Sequence, residues 1–207
     1  MRRVLIRLAI VMATLSLLVV TIASGYFYSL PIPQSPDLTD NQGVVLDEET
    51  QAKLTEIVFQ AARDDDSVTV SEYLKEGFTP NVRSRRGDTL LTVAAYHDSR
   101  AVMQELLTHR AIDLEARNRM GLTAVSAAAF KGHDEALSML IARGAKVDAA
   151  NSTNQTAIMF AALAGRTTTV QLLKSAGAKV QRQDELGNTA ASLAKAQGAE
   201  EVVEILK

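Results

Sequence analysis

The sequence predicts an all-α chain: a solenoid of about five stacked helix-turn-helix units joined by short turn or hairpin loops, preceded by one N-terminal apolar helix. Three observations point to it. The 207 residues are 47% hydrophobic but only 4% aromatic, with 31 alanines and no tryptophan, and a core of Ala, Leu and Val suits helix on helix better than sheet on sheet. Three apolar columns recur at steps of 33 or 34 residues from residue 61 onward, the mark of a repeat array. A basic start followed by a long uncharged apolar run stands apart from that array.

Residues 1–28 come first. Arg2, Arg3 and Arg7 precede the apolar run Leu8 to Ile22, which leads into Ala23-Ser24-Gly25 and then Tyr26-Phe27-Tyr28. Two readings stay open. As a cleaved signal peptide, the run has a suitable length and small residues follow it. As a signal anchor, residues 8–27 are long enough to span the roughly 30 Å of a hydrocarbon core, with the aromatic cluster at the outer interface. Either way the basic end stays in the cytoplasm and everything after residue 28 is exported. The expected location is the inner membrane, facing the periplasm, or the periplasm itself if the segment is removed. The opposite topology would require the arginines to be translocated. Residues 29–47 hold three of the four prolines and no helical period, which predicts an extended linker.

Residues 48–207 form the repeat domain, with units near 48–84, 85–118, 119–151, 152–184 and 185–207. Ala61, Ala94, Ala128, Ala161 and Ala194 recur at steps of 33, 34, 33 and 33, as do Val70, Met103, Leu137, Val170 and Val203, and Tyr73, Leu106, Leu140, Leu173 and Leu206. The single longer step falls where Ala111 to Asn118 has one residue more than Ala145 to Asn151, so it maps to a loop. Each unit reads as a turn, a short alanine-rich helix, a second turn and a longer amphipathic helix. Gly87-Asp88-Thr89, Gly121-Leu122-Thr123, Asn154-Gln155-Thr156 and Gly187-Asn188-Thr189 open successive units. Gly or Asn suits a left-handed turn position, and Thr caps the helix that follows. Gly77, Gly144 and Gly177 end the second helices, whereas Arg110 holds that place in the second unit and would be strained in the same conformation.

These residues resemble the ankyrin repeat over roughly 51–207. Thr89-Leu-Leu-Thr-Val-Ala-Ala95, Thr123-Ala-Val-Ser-Ala-Ala-Ala129 and Thr156-Ala-Ile-Met-Phe-Ala-Ala162 are similar to the family's T-P-L-H-x-A-A stretch. Gly132-His133 is similar to its G-H, and Arg143 to Asp148 to its x-G-A-x-V-N/D. Proline is absent from every T-P position, and Thr92, Ser126, Met159 or Ser192 replaces the histidine. The resemblance therefore implies a stacked array with weakened internal hydrogen bonding. It also implies polar capping units at the two ends, the later one with Glu200, Glu201 and Glu204 outward.

Chemistry is sparse. With no cysteine, disulfides, thiolate metal sites and cysteine nucleophiles are excluded. His97, His109 and His133 are predicted to share no face, with His133 a structural turn residue, and no metal site or cofactor is expected. Asp64-Asp65-Asp66 lacks the alternating ligands of a calcium loop and reads as a solvated turn. Phosphate-loop, nucleophile-elbow and zinc-helix motifs are absent, so the chain is not expected to be an enzyme, and a small-ligand binder is a lesser alternative. Beyond the three N-terminal arginines, 19 basic residues face 24 acidic ones, a balance of −5, which argues against nucleic acid as a partner.

What remains is surface. The resemblance implies a concave binding face made by the turn tips and the exposed flank of the first helices. Those places carry Arg85, Arg86, Asp88, Tyr96 and His97, then Arg119, Met120, Leu122, Phe130 and Lys131, types enriched at protein interfaces. The expected role is a non-enzymatic scaffold outside the cytoplasm that binds a partner protein. An inhibitor of an exported enzyme, or an accessory factor of an envelope enzyme, is the alternative.

Overall fold

The computed structural model describes residues 46–207. The apolar helix expected within residues 1–28 and the linker through residue 45 lie outside the described residues. Among the described residues no helix is long and apolar enough to cross a membrane.

The domain begins with α1, Glu48–Arg63. Asp47 caps it by accepting the Thr50 N–H at 2.9 Å, and Glu48 and Glu49 place negative charge at the positive end of its dipole. Leu54, Val58, Phe59, Ala61 and Ala62 form its buried face. Leu46 is itself buried, so the folded part starts slightly before residue 48, where the expected linker ends. At 16 residues α1 is twice the length of the first helix in the next unit.

Nine more helices follow among the described residues, so that the ten make five pairs: α2 Ser67–Lys75, α3 Leu90–His97, α4 Arg100–Thr108, α5 Ala124–Lys131, α6 Asp134–Ala142, α7 Ala157–Leu163, α8 Thr167–Ser175, α9 Ala190–Ala196 and α10 Glu200–Leu206. First helices stack on first helices (α1, α3, α5, α7, α9) and second on second (α2, α4, α6, α8, α10). The alanine column Ala61, Ala94, Ala128, Ala161 and Ala194 is at most 2% exposed throughout, which lets the first helices approach closely. Tyr73, Leu106, Leu140, Leu173 and Leu206 are equally buried. Val203 alone in its column is only half-buried. Glu200, Glu201 and Glu204 of α10 face solvent.

Each first helix leaves through a left-handed residue: Asp65, Asp98, Gly132, Gly165 and Gly198 have φ between 56° and 80°. At Gly132 the requirement is also spatial, because a Cβ there would lie 2.8 Å from Arg166 Cδ. Gly77, Gly144 and Gly177 have positive φ at the second-helix ends. Arg110 escapes the strain expected of it. His109 leaves α4 in an extended conformation, φ −74° and ψ 128°, and the extra residue of the longer loop completes the connection.

The helix caps depart from expectation in an informative way. Thr89, Thr123 and Thr189 accept the N–H of Thr92, Ser126 and Ser192. The hydroxyls that replace histidine then join in: Thr89 and Thr92 Oγ1 are 3.0 Å apart, and Ser192 Oγ accepts the Thr189 N–H. The predicted weakening is thus largely made good by Thr and Ser. It persists only where Met159 offers no hydroxyl, and there Thr156 Oγ1 is buried with no hydrogen-bond partner.

Candidate functional site

The loop before each first helix from α3 onward folds into a finger closed by one short polar side chain. Ser84 Oγ accepts the Arg86 and Asp88 N–H groups, and Asn118 Oδ1 accepts those of Met120 and Leu122. Asn151 Oδ1 does the same for Thr153 and Gln155, and Asp184 Oδ1 for Leu186 and Asn188. Burial works to raise the Asp184 carboxyl, but the N–H groups of Asn188 and Leu186 and the Asn188 amide outweigh it and hold it below its ordinary value. This column was not singled out in the sequence, although a polar residue sits three places before every turn Gly or Asn.

Closed fingers stack with little freedom. The Arg119 N–H donates to the Arg86 carbonyl at 3.2 Å and the Glu185 N–H to that of Thr153 at 3.0 Å. A Cβ on Gly121 would meet Asn151 Cβ at 2.8 Å. Two columns of side chains result at the tips: Arg85, Arg119, Ser152 and Glu185, then Arg86, Met120, Thr153 and Leu186. Arg85, Arg86 and Arg119 are exposed, Met120 is 71% exposed and Leu186 86%. Asp88 is turned inward, receiving the Asn118 amide at 2.7 Å and the Ser84 hydroxyl at 3.4 Å. Leu122 is half-buried.

A second strip runs along the C-terminal ends of the first helices. Its column is Arg63, Tyr96, Phe130 and Leu163, followed by Asp64, His97, Lys131 and Ala164. Tyr96 and Phe130 are 40% and 41% exposed. Lys131 Nζ lies 5.0 Å from the Tyr96 ring centre, within range of a cation–π attraction, and His97 meets the same ring edge-on at 5.3 Å. His133 Nε2 bonds the Tyr96 carbonyl at 3.1 Å, and since a carbonyl only accepts, the proton is on Nε2. Its role as a turn residue is as predicted. At equivalent places Ser99 Oγ donates to the Arg63 carbonyl and Arg166 Nε to that of Phe130.

His97 and His133 are within electrostatic reach of each other, whereas His109 takes no part. The two are 36 residues apart in the chain, and only unit stacking brings them together. Burial, then the charges of Arg63, Lys131 and His133, lower the His97 pKa from its ordinary 6.5, against a smaller opposing effect of Asp64. Among the described residues no group of three or more His, Asp or Glu side chains is placed to hold a metal ion. The Asp64-Asp65-Asp66 run is more engaged than a solvated turn. Asp64 receives the Gln60 amide, Asp65 Oδ1 accepts the Val102 N–H of α4, and Asp66 caps α2.

The residues predicted as one face thus divide into two strips. Between them α3 is buried from Leu90 to Ala95 and α5 from Ala124 to Ala129, so the flanks of these helices are not exposed along their length. Eight residues at about 1.5 Å each separate finger from helix end by about 12 Å. Leu186, Arg63 and His133 join the strips although none was predicted there. Leu186 was reachable by counting, since it stands two 33-residue steps beyond Met120.

The fold is a helical-repeat array. Residues 58–151 match the family model of ankyrin repeats in three copies, so this stretch of the chain carries ankyrin repeats. Over 72 residues, 33% of this chain, it is 40% identical to the B-cell lymphoma 3 protein homolog of Mus musculus. Over 60 residues, 29% of this chain, it is 38% identical to a Pseudomonas aeruginosa protein named for its ankyrin repeats. The matched stretches span 16% and 34% of those proteins. Repeats of this family are scaffolds for protein–protein interaction, and the same columns continue through α7 to α10, beyond the matched residues.

Proposed function

We propose that this array binds a partner protein along its two strips, centred on units two and three, outside the cytoplasm. The observation that carries the reading is the placement of exposed apolar side chains. Of the five large ones among the described residues, Val68, Tyr96, Met120, Phe130 and Leu186, four stand in register at fingertips or helix ends. Burying such side chains against a partner supplies the binding free energy, at about 25 cal/mol per Å² of apolar surface before the costs of association. Arg85, Arg86 and Arg119 beside them add directional contacts. The role requires no chemistry on the partner. Export rests on Arg2, Arg3 and Arg7 followed by the apolar run, which keeps residues 8–27 as a membrane anchor unless cleaved.

Photo-crosslinking residues installed at Met120, Phe130 and Leu186, with Ser138 on α6 as control, test the interface in living cells. Defined adducts are expected from the first three, and Tyr96→Ala with Phe130→Ala should reduce those from Met120 and Leu186 while circular dichroism stays unchanged. Equal adducts from Ser138 would refute the placement. A reporter active only in the cytoplasm, fused after Lys207, should stay silent; activity there would overturn the export half.

A further inference from the structure

We propose that the fingertip strip takes an extended partner segment, acidic at one end and aliphatic along the rest, with its acidic end over the fingers of units two and three. This rests on the scaffold reading above and adds the chemistry and direction of what is bound. The tips change character along the array: Arg85 with Arg86, Arg119 with Met120, Ser152 with Thr153, then Glu185 with Leu186. Arg85, Arg86 and Arg119 have no ion-pair partner among the described residues. Their one acidic neighbour in the fingers, Asp88, has its oxygens occupied by Asn118 and Ser84. Arg83 is spent internally on the carbonyls of Gly87 and Arg117.

Three free guanidinium groups cluster on a repeat domain, residues 48–207, that has 19 basic against 21 acidic residues, and carboxylates are the anions a guanidinium fork pairs with in proteins. Asp184 and Glu185 in the last finger repel a second acidic cluster there, so the segment has one favoured direction. Met120 and Leu186 provide the apolar contacts. With units stacked about 10 Å apart, fingers two to five span about 30 Å, the reach of about nine extended residues.

The probe is a phage-displayed library of random 12-residue peptides selected on the full chain. Selected peptides should be enriched in Asp and Glu in one half and in Leu, Ile or Met in the other. Their dissociation constants should rise at least about tenfold on Arg85→Glu/Arg86→Glu/Arg119→Glu. Because these side chains are exposed, melting should be little changed, and the corresponding triple Gln variant shows the loss without added repulsion. A photoreactive group at the acidic end should label residues 83–122, not 183–188.

Selected peptides without acidic enrichment, unaltered binding to the Glu variant, or labelling at residues 183–188 would overturn the proposal. So would equal competition, at matched charge, by a 12-nucleotide oligothymidylate or phosphatidylserine vesicles, which would make the strip a general polyanion surface. If the peptide experiment fails while crosslinks from Met120 and Leu186 persist in cells, the acidic-segment inference alone falls. If those crosslinks are absent as well, the scaffold reading falls with it.

Discussion

Units two and three and units four and five share one interior and present different exteriors. Inside, Leu106 and Leu140 correspond to Leu173 and Leu206, all of them buried. Outside, Arg85, Tyr96, Arg119 and Phe130 in the earlier pair give way to Ser152, Leu163, Glu185 and Ala196 at the same places in the later pair. Stacking demands a fixed volume between helices and demands nothing of the tips. Columns held constant are therefore structural, and columns that vary in size and charge along the array are free to carry the specificity of the proposed interface.

The largest expected effect examines the shared interior. Leu140→Ala and Leu173→Ala, each fully buried, should lower unfolding free energy by about 2–5 kcal/mol and by similar amounts, read from urea midpoints. A much smaller loss at one of them would mean that the two units are not packed equivalently.

The caps separate the pairs next. Thr123→Val removes an acceptor for the Ser126 N–H and should cost about 1 kcal/mol. Thr156→Val removes a buried hydroxyl without a partner and should be neutral or stabilising by about 1 kcal/mol. Opposite signs in thermal denaturation would establish the difference; two losses would show that Thr156 has a bonded partner in solution.

A smaller contrast lies in the left-handed column. Asp98→Gly relieves a positive φ of 57° and should stabilise by about 0.5 kcal/mol. Asp65→Gly gains the same relief but loses the carboxylate that accepts the Val102 N–H, so it should fall below Asp98→Gly in melting temperature.

The smallest effect concerns pH. His97 binds a proton less readily in the folded chain than its ordinary 6.5 implies, chiefly through burial and then Arg63 and Lys131. Its contribution is intact above that ordinary value and is lost as pH falls through it toward the lower folded one. His97→Gln should flatten the decline in melting temperature from pH 7.5 to pH 5.5. An unchanged slope would remove His97 from the account.

Periodicity made the architecture legible, because each unit must place an apolar residue at the same point to bury its neighbour. Ala94 and Leu106 are read correctly for that reason. The strips were legible in membership but not in shape. Tyr96 and Lys131 fall on the predicted surface, yet nothing in the sequence says that the helix flank between finger and helix end is buried. Arg110 was misjudged because the inserted residue changes the path that the chain takes out of α4. The approach of His133 to Tyr96 depends on stacking, which a one-dimensional pattern does not contain.

The bonds from Ser99 to the Arg63 carbonyl, from His133 to that of Tyr96 and from Arg166 to that of Phe130 tie each unit to the one before it. At the fifth unit the corresponding residue is Ala199, whose methyl group has nothing to donate. Under a pulling force applied through the two ends, the array should therefore yield at that junction first, paying out about 80 Å of extended chain for the 23 residues of the fifth unit. The first three junctions would hold to higher load, so the domain behaves as a graded spring whose weakest coil lies farthest from the Arg85 and Arg119 fingers.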